Sequence, residues 1–181
     1  IGTSMKFGIL SDVHGNLEAL EVALNFLDKA RVDDILFLGD AVGYGPNPNE
    51  VCALLREHCV HSVIGNHDAA AIGTLDTTWF HRAAAESARW TASVLEPQHA
   101  HWLEALPYRI KLPEFDLQLT HGSPIKPEAF DYLVNAAQLT RLSRFEAGEL
   151  PGGVVDWSFA SYGRVFDTGW LGGKASYHSG G

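Results

Sequence analysis

The chain has 181 residues, of which 46% are hydrophobic and 19% are charged, a composition typical of a globular protein with a sizeable core. Its formal net charge of −9 disfavours a surface for long nucleic acid, since such a surface needs Lys and Arg to neutralise phosphates. No apolar run approaches the roughly 20 residues that cross a membrane and no signal peptide is visible, so we expect a cytoplasmic protein without a membrane partner.

A single domain is predicted over residues 5–168. Residues 1–4 have the character of a cloning remnant ahead of Met5, and the stretch 169–181, rich in Gly and Ser, is expected to be a mobile tail. Cys52 and Cys59 do not form a Cys-x-x-Cys pair, so we expect them to be buried, reduced thiols.

Apolar runs alternate with helical patterns through the first 70 residues. The apolar runs predict buried strands at 5–10, 34–40 and 59–64, and the residues between them predict helices at 16–30 and 49–57. Asn16 is placed to cap the first of these helices. Strands that alternate with helices favour a parallel sheet built from βαβ units, so we expect an α/β fold.

The second half of the chain continues with helices predicted at 69–72, 78–95, 97–106 and 135–147, with strands at 108–112 and 115–120, and with a strand that starts near Val154. Four aromatic residues are predicted to lie in the core rather than to form a base-stacking platform: Trp79, Phe80, Trp90 and Trp102. Three histidines are predicted to be surface or helix-capping residues: His81, His99 and His101.

Side chains that can bind metal follow four apolar runs at the point where each run ends. They are Asp12 and His14, then Asp40, then Asn66, His67 and Asp68, and finally His121. Because the carboxyl ends of parallel strands share one edge of a sheet, these groups can converge there. Taken singly, Asp40 could be a cap and His121 a hydrogen-bonded turn residue. Their recurrence at equivalent positions favours one shared site.

The kinds of side chain in these positions suit one chemistry. Carboxylate, imidazole and amide oxygen ligands accept Mn, Fe, Zn, Ni or Co. Two such ions held about 3.5–4 Å apart clamp an in-line displacement at phosphorus. A water that the metals activate then attacks, and a nearby histidine can protonate the leaving oxygen.

The motifs also resemble a known family. In order they are DVHGN at 12–16, GD at 39–40, GNHD at 65–68 and HG at 121–122. Together, over roughly residues 5–125, they are similar to the calcineurin-like metallophosphoesterases, and GDAVGYGPNP at 39–48 resembles the small bacterial and archaeal phosphodiesterase branch. The resemblance implies a layered sandwich of two mixed sheets, face to face, with helices outside.

The resemblance also implies roles for individual residues. Asp12 and His14 would bind a first divalent metal ion, Asn66 and His121 would bind a second, and Asp40 would bridge the two. Manganese is the expected activator.

Other residues of the motifs would act on the substrate. His67 would be the leaving-group acid or a stabiliser of the transition state. Asp68 would either orient His67 or cap the helix that follows. Asn16, Tyr44 and Asn47 are candidate substrate contacts, with capping or turn roles as the alternative.

One motif of the family is missing. Its members close the site with a late Gly-His-Thr-His motif whose histidines complete the two metal sites, and this sequence has none. By position, Trp157 and Phe159 would stand in place of those histidines, and neither side chain can donate to a metal. Water, a substrate oxygen, Asp156 or His178 could fill a vacancy. Phe159 would stand where the ligand facing Asp12 and His14 belongs, so the first metal is expected to be the looser one.

Three interpretations stay open: an active enzyme with weakened metals, a degenerate member kept for binding, or a C-terminal region altered by truncation or a reading-frame change. The leading functional hypothesis is hydrolysis of small phosphate esters, with phosphodiesters favoured. The alternative is a non-catalytic scaffold on the same fold, like the retromer subunit that resembles this family. The sequence predicts neither the substrate's identity nor the oligomeric state.

Overall fold

The computed structural model describes residues 5–131 and, as backbone only, the strands 153–156 and 164–167. In chain order, its strands and α-helices are β1 Lys6–Leu10, α1 Leu17–Ala30, β2 Asp34–Phe37, α2 Pro48–His58, β3 His61–Ser62, α3 Asn66–Ala71, α4 Arg82–Val94, α5 Pro97–Ala105, β4 Arg109–Leu112, β5 Leu117–Thr120, β6 Gly153–Asp156 and β7 Arg164–Asp167. Short 3₁₀ turns lie at Pro113–Phe115 and Pro127–Ala129.

The strands form two sheets. The larger sheet has the order β3-β2-β1-β7, in which β1, β2 and β3 are parallel and β7 runs antiparallel to β1. The smaller sheet has the order β4-β5-β6, with β4 antiparallel and β6 parallel to β5. Helices and mixed sheets together confirm the predicted α/β fold.

Two apolar clusters place the larger sheet between the helices and the smaller sheet. One cluster joins Phe7, Ile9 and Leu36 of the larger sheet to Leu112 and Leu119 of the smaller one. The other lies between the larger sheet and helices α1, α2 and α5, and its buried members include Leu10, Phe37, Leu20, Leu27, Val51, Leu55 and Leu103. Alternate residues of β1 therefore face different clusters, as the two-residue period of a strand requires.

Helix α1 follows directly from its local sequence. The side-chain oxygen of Asn16 accepts a hydrogen bond from the Ala19 N–H at 3.0 Å, which is the predicted N-cap. Leu20 and Leu27, seven residues apart, lie on one face and are almost fully buried. The helix ends at Arg31, whose left-handed φ of 53° turns the chain toward β2.

Several boundaries differ from the predictions. The third strand is reduced to His61–Ser62, and α3 begins at Asn66 rather than at residue 69. Helix α4 begins at Arg82 rather than at residue 78, because the ring of His81 accepts the Ala84 N–H and caps the helix there. The predicted helix 135–147 and the predicted tail 169–181 lie outside the described residues, as do residues 1–4.

The prediction that the aromatic residues lie in the core is wrong for two of them. Trp79 is 54% exposed and Trp90 is 42% exposed. Helix α4 packs through Ala84, Ala88 and Thr91, which are buried at helical spacing, so Trp90 falls on its open side. Trp102, by contrast, packs against the cluster beneath the helices.

His99 was expected at the surface or in a cap, and this prediction is also wrong, because the residue is 6% exposed. It lies one helical turn before the buried Leu103, on the packed face of α5. His81 does cap a helix, and His101 is exposed.

Both cysteines are free: Cys52 is buried and Cys59 is half-buried. Burial raises the pKa of the Cys59 thiol to about 12 and also raises the pKa of Cys52, so both remain protonated thiols at neutral pH. None of the helices in the described ranges combines the length and apolar composition that crossing a bilayer requires.

Candidate metal centre

The predicted metal ligands meet at the carboxyl ends of β1, β2 and β5. Asp40 lies at the centre: its Oδ2 is 3.5 Å from Nε2 of His121 and 3.7 Å from Nε2 of His14. Asp12 completes one side, with Oδ1 3.5 Å from Nε2 of His14. Asn66 completes the other, with Oδ1 2.9 Å from Nε2 of His121. The five side chains predicted to bind metal are therefore neighbours.

The two histidines turn the same nitrogen toward Asp40. Nδ1 of His121 lies 2.6 Å from the carbonyl oxygen of Leu38, and Nδ1 of His14 lies 3.1 Å from that of Val42. A carbonyl only accepts hydrogen bonds, so Nδ1 of each ring carries a hydrogen, and in the neutral form of each ring the Nε2 lone pair points inward. Backbone carbonyls commonly hold metal-binding histidines in this tautomer.

The resulting arrangement fits divalent cations. Lone pairs of two Nε2 atoms converge with carboxylate oxygens of Asp12 and Asp40, and such a set of acceptors needs positive charge between its members. Among the described residues, two groups bring three ligand atoms within 4.8 Å of one another. One is Asp12, Asp40 and His121, and the other is His14, Asp40 and His67. Asp40 belongs to both groups, as the bridging role requires.

The grouping differs in detail from the predicted ligand sets. Asp12 groups with His121 as well as contacting His14, and His67, which was predicted to act on the leaving group, lies in the same group as His14. The rings of His14 and His67 are in edge-to-face contact at 4.8 Å. A geometric reason is that α3 starts at Asn66, so His67 is in its first turn, beside the ligands.

Asp40 is 2% exposed, so the ionised form of its carboxyl is unfavourable. Burial raises the pKa of this carboxyl well above its usual range, the nearby Asp68 raises it further, and His14 opposes the shift. Its Oδ1 accepts the backbone N–H of His67 at 2.8 Å, which fixes its orientation. A buried carboxylate of this kind is stabilised by a cation at its free oxygen.

Two further shifts follow from the same crowding. Burial alone would lower the pKa of His14, but the Asp12 side chain, the Asp40 charge and the Val42 carbonyl together raise it. For His67, burial and then the neighbouring His14 and His121 lower the pKa to about 4. At neutral pH His67 is therefore an uncharged ring with one N–H.

Asp68 supports the backbone of the site rather than His67. Its carboxylate accepts the N–H groups of Asp40 at 2.8 Å, Gly65 at 3.0 Å and Val42 at 3.1 Å. Nδ1 of His67 is buried and has no hydrogen-bond partner among the described residues, so the contact needed for an orienting role is not made. Of the two predicted roles, the structure displays helix capping, from the third position of α3 rather than from the N-cap.

The backbone is strained where the ligands are attached. Asp12, His14, Asp40 and Tyr44 all have left-handed φ angles, of 54°, 50°, 60° and 56°. Such conformations cost about 1–3 kcal/mol each in a non-glycine residue and are kept only where the surroundings enforce them. Here the loops after β1 and β2 enforce them by pairing, for example through His14 N–H to the Asp40 carbonyl at 2.9 Å.

Two glycines allow the close packing. A Cβ on Gly65 would lie 2.1 Å from Oδ1 of Asp40 and 2.2 Å from its backbone nitrogen. A Cβ on Gly43, whose φ is +95°, would lie 2.7 Å from Nδ1 of His67. A side chain at either position would displace a residue of the candidate centre.

The candidate substrate residues are positioned differently from one another. Tyr44 is 49% exposed, and its ring lies 5.0 Å from that of His14 and 4.7 Å from that of His67. The Asn16 side chain is engaged in capping α1. Asn47 is half-buried and its N–H bonds the Gly15 carbonyl at 3.0 Å. Tyr44 is thus the residue of the three that lines the centre.

Sequence reasoning missed Phe80 and His81. The Phe80 ring lies 5.1 Å from that of His67, and Nε2 of His81 lies 3.3 Å from the hydroxyl of Tyr44. Their position depends on the loop before α4 folding back over the site. The sequence feature that could have pointed to them is the aromatic pair Trp79 and Phe80 directly before His81, the N-cap of α4.

Beside His121, the centre is bordered by the backbone of the smaller sheet. Thr120 pairs with Asp156, so the carboxyl end of β6 lies beside that of β5, next to His121. Trp157, Phe159 and His178, which bear on the missing motif, lie outside the described residues.

Comparisons with known proteins agree with the fold. A family model described as calcineurin-like phosphoesterase matches residues 5–167. The match extends beyond residues 5–125, which carry the motifs, and includes β6 and β7.

Two curated proteins are similar in sequence. An uncharacterised protein of Methanocaldococcus jannaschii is 36% identical over 127 residues, which are 69% of this chain and 52% of that protein. Serine/threonine-protein phosphatase 2 of Escherichia coli is 31% identical over 70 residues, which are 38% of this chain and 32% of the phosphatase. This chain thus spans about half the length of the first relative.

Solved structures show the same relationship. A metallophosphoesterase from Sphaerobacter thermophilus is 42% identical with a TM-score of 0.66, and the match covers 84% of this chain and 60% of that one. A protein provisionally assigned as a diadenosine tetraphosphatase is 27% identical with a TM-score of 0.50, over 65% of this chain and 50% of that one.

Proposed function

The chain belongs to the calcineurin-like phosphoesterase family, and from the geometry of its centre we propose that it hydrolyses phosphodiesters with the help of two divalent metal ions. The observation that carries the proposal is the convergence on Asp40 of two inward-facing Nε2 atoms and a second carboxylate.

We assign the ligands to two sets that share Asp40, although Asp12 also lies within reach of His121. Asp12 and His14 would hold one ion, Asn66 and His121 would hold the other, and Asp40 would contact both. Mn, Fe, Zn, Ni and Co all suit these donors, and we propose Mn as the activating ion. When bound, the two ions supply the positive charge that the phosphate oxygens need and lower the pKa of the attacking water.

His67 is the proposed proton donor to the departing oxygen. As the bond from the water oxygen to phosphorus forms, the phosphorus–oxygen ester bond breaks, and the departing oxygen needs a proton. The ring of His67 lies 4.8 Å from that of His14 and is neutral at neutral pH. Its N–H can donate a hydrogen bond to the charge that develops on that oxygen. An anionic phosphate beside the ring raises the pKa of His67, so the ring takes up a proton from solvent and then passes it to the departing oxygen.

The preference for a diester is supported by the open side of the centre. Tyr44, half exposed beside His14 and His67, would contact the substrate, with Asn47 and Asn16 at the adjoining loop ends. A diester has a group on each side of phosphorus, and an open wall accommodates the second one. The similarity to a provisionally assigned diadenosine tetraphosphatase also favours a substrate that carries a group on each side of the reacting phosphorus. The proposed partner is thus a small phosphoester, and we propose a cytoplasmic location.

Substitution of Asp40 tests the proposal. Mn-loaded protein should hydrolyse bis(p-nitrophenyl) phosphate, and Asp40→Asn should lower kcat/KM at least about a thousandfold, since it removes the group shared by both ions. His67→Ala should mainly lower kcat. Asp28→Asn, at an exposed position of α1, is the matched control and should leave the rate unchanged. Equal rates for wild type and Asp40→Asn would contradict the proposal.

A non-catalytic scaffold is the second candidate, and the missing Gly-His-Thr-His motif favours it. It predicts no turnover by wild-type protein at any metal concentration. Retention of every other motif residue favours the catalytic proposal.

A further inference from the structure

Aromatic rings extend outward from the candidate centre in a continuous series. The Phe80 ring lies 5.1 Å from that of His67, and the Trp79 ring lies 4.6 Å from that of Phe80. Tyr44 joins the series from the other side, with its ring 4.7 Å from that of His67. We call Tyr44, Trp79 and Phe80 the aromatic ledge.

The ledge is open to solvent, although its rings are apolar. Trp79 is 54% exposed and Tyr44 is 49% exposed. Single exposed apolar residues are common on protein surfaces and need no explanation. Adjoining rings in contact with a proposed catalytic histidine are different, because they offer aromatic faces at the place where a substrate would enter. The Trp79 and Phe80 rings meet edge to face at 80°, so a planar ligand stacks on one of them at a time.

The ledge is also held in place. Tyr44 is fixed at both ends, because its N–H bonds Oγ of Ser87 and its hydroxyl lies 3.3 Å from Nε2 of His81. The loop that carries the other two rings is fixed by Asp76, whose carboxylate accepts the N–H of Thr78 at 2.9 Å and its hydroxyl at 2.8 Å. A surface that is already ordered loses little conformational entropy when a ring stacks on it.

We propose that the ledge binds a planar aromatic ring in the departing group of the substrate, and that this ring is the base of a nucleotide ester. The inference rests on the proposed function for its starting point, since His67 marks where the departing oxygen lies. From there, Phe80 and Trp79 follow in steps of about 5 Å, comparable to a sugar ring. A nucleoside leaving through its sugar oxygen would therefore have its sugar beside Phe80 and its base on the exposed ring of Trp79. Stacking of this kind tolerates any base, because every base has a π-face.

The test compares two phosphates that differ only in the base. Binding of AMP and of ribose 5-phosphate to Mn-loaded protein is measured by isothermal titration calorimetry. The ledge predicts that AMP binds about tenfold more tightly, within the range that one stacked base contributes. Trp79→Ala should bring the ratio of the AMP affinity to the ribose 5-phosphate affinity close to one, and Trp79→Phe should keep most of the wild-type preference for AMP.

Trp90→Ala is the matched control, since Trp90 is an exposed tryptophan of α4 that makes none of these ring contacts. It should leave the ratio unchanged. Equal affinities for AMP and ribose 5-phosphate in the wild type would overturn the inference. So would a ratio that Trp79→Ala and Phe80→Leu both leave intact.

Failure of the ledge and failure of the proposed function are separable. Hydrolysis of bis(p-nitrophenyl) phosphate with no preference for AMP over ribose 5-phosphate would contradict base binding by the aromatic ledge and would leave the proposed function standing. A ledge-dependent preference for AMP in a protein that hydrolyses no phosphoester would sink the proposed function and leave a nucleotide-binding surface.

Discussion

The two ends of the larger sheet both gather acidic residues and histidine, but among the described residues only the carboxyl end is built like a metal site. At the carboxyl ends of the strands, Asp40 is buried and its free oxygen faces two histidines. At the amino end of β2, Asp28, Asp33 and His58 line a groove of about 410 Å³ and are exposed to water.

The difference between the ends lies in what surrounds each carboxylate. Asp33 accepts the backbone N–H of Lys6 at 2.7 Å, an ordinary surface contact that the chain satisfies without an ion. Asp40 has a backbone donor on Oδ1, while its Oδ2 faces the Nε2 atoms of two histidines whose hydrogens are held on Nδ1. Burial, enforced tautomers and strained backbone distinguish a metal centre from an acidic groove.

Substitution of Gly65 should produce the largest effect. In Gly65→Ala the new Cβ would need the space of Asp40 Oδ1 and the Asp40 backbone nitrogen, so the loop after β2 must move. We expect a loss of at least about 3 kcal/mol in the free energy of unfolding, measured by urea denaturation.

Gly73→Ala is the control for Gly65. Gly73 has a positive φ of 77°, but no atom lies within 4 Å of the point that a Cβ would occupy, so only backbone strain remains, at about 1 kcal/mol. Equal losses for the two variants would show that the tight approach to Asp40 is not present in solution.

The pH dependence of stability should report the crowding around His67. Its pKa is lowered to about 4 in the folded protein, below the unfolded value of 6.5. The unfolded chain thus takes up a proton first as pH falls, and the stabilisation present above pH 6.5 is lost toward pH 4. We expect a loss of order 2 kcal/mol in metal-free protein from this residue.

The pH dependence of wild-type stability also contains the opposite contribution of His14. The difference in free energy of unfolding between wild type and His67→Asn, measured at each pH, isolates the contribution of His67. The pKa of His14 is raised, so its contribution is full below pH 6.5 and fades as pH rises through the folded value. Unfolding curves for His67→Asn that run parallel to wild type between pH 7 and pH 4 would contradict the assignment.

Asp40→Asn should have a smaller effect on stability, and of the opposite sign. The pKa of Asp40 is raised by burial and by Asp68, so its ionised form costs stability at neutral pH. Asparagine keeps the oxygen that accepts the His67 N–H and cannot ionise. Metal-free Asp40→Asn should therefore be about 1 kcal/mol more stable than wild type by urea denaturation at pH 7, and Asp28→Asn should be unchanged. A less stable Asp40→Asn would mean that the carboxylate is satisfied without metal.

Much of this contrast could be predicted from the sequence. The end of each apolar run in the first half was visible, and parallel pairing dictated that Asp12, His14 and Asp40 share one edge. Helix α1 and its Asn16 cap were also predictable, because both depend on neighbouring residues only.

What could not be predicted depends on contacts between distant segments. The side chain of Asp68 serves Asp40 and Val42, which are 28 and 26 residues away, so its role needed the fold. The exposure of Trp79 depends on where the loop before α4 lies relative to α3. The pairing of β7 with β1 closes a separation of more than 150 residues, which no local pattern encodes.

The central claim is that Asp40 holds two divalent ions between it and its neighbours, and metal counting tests it most directly. Protein loaded with Mn, freed of excess ion and analysed by elemental mass spectrometry should carry close to two ions per chain. Asp40→Asn should carry close to none, and Asp28→Asn should match wild type. A count near zero in wild-type protein, or an equal count in Asp40→Asn, would contradict the claim.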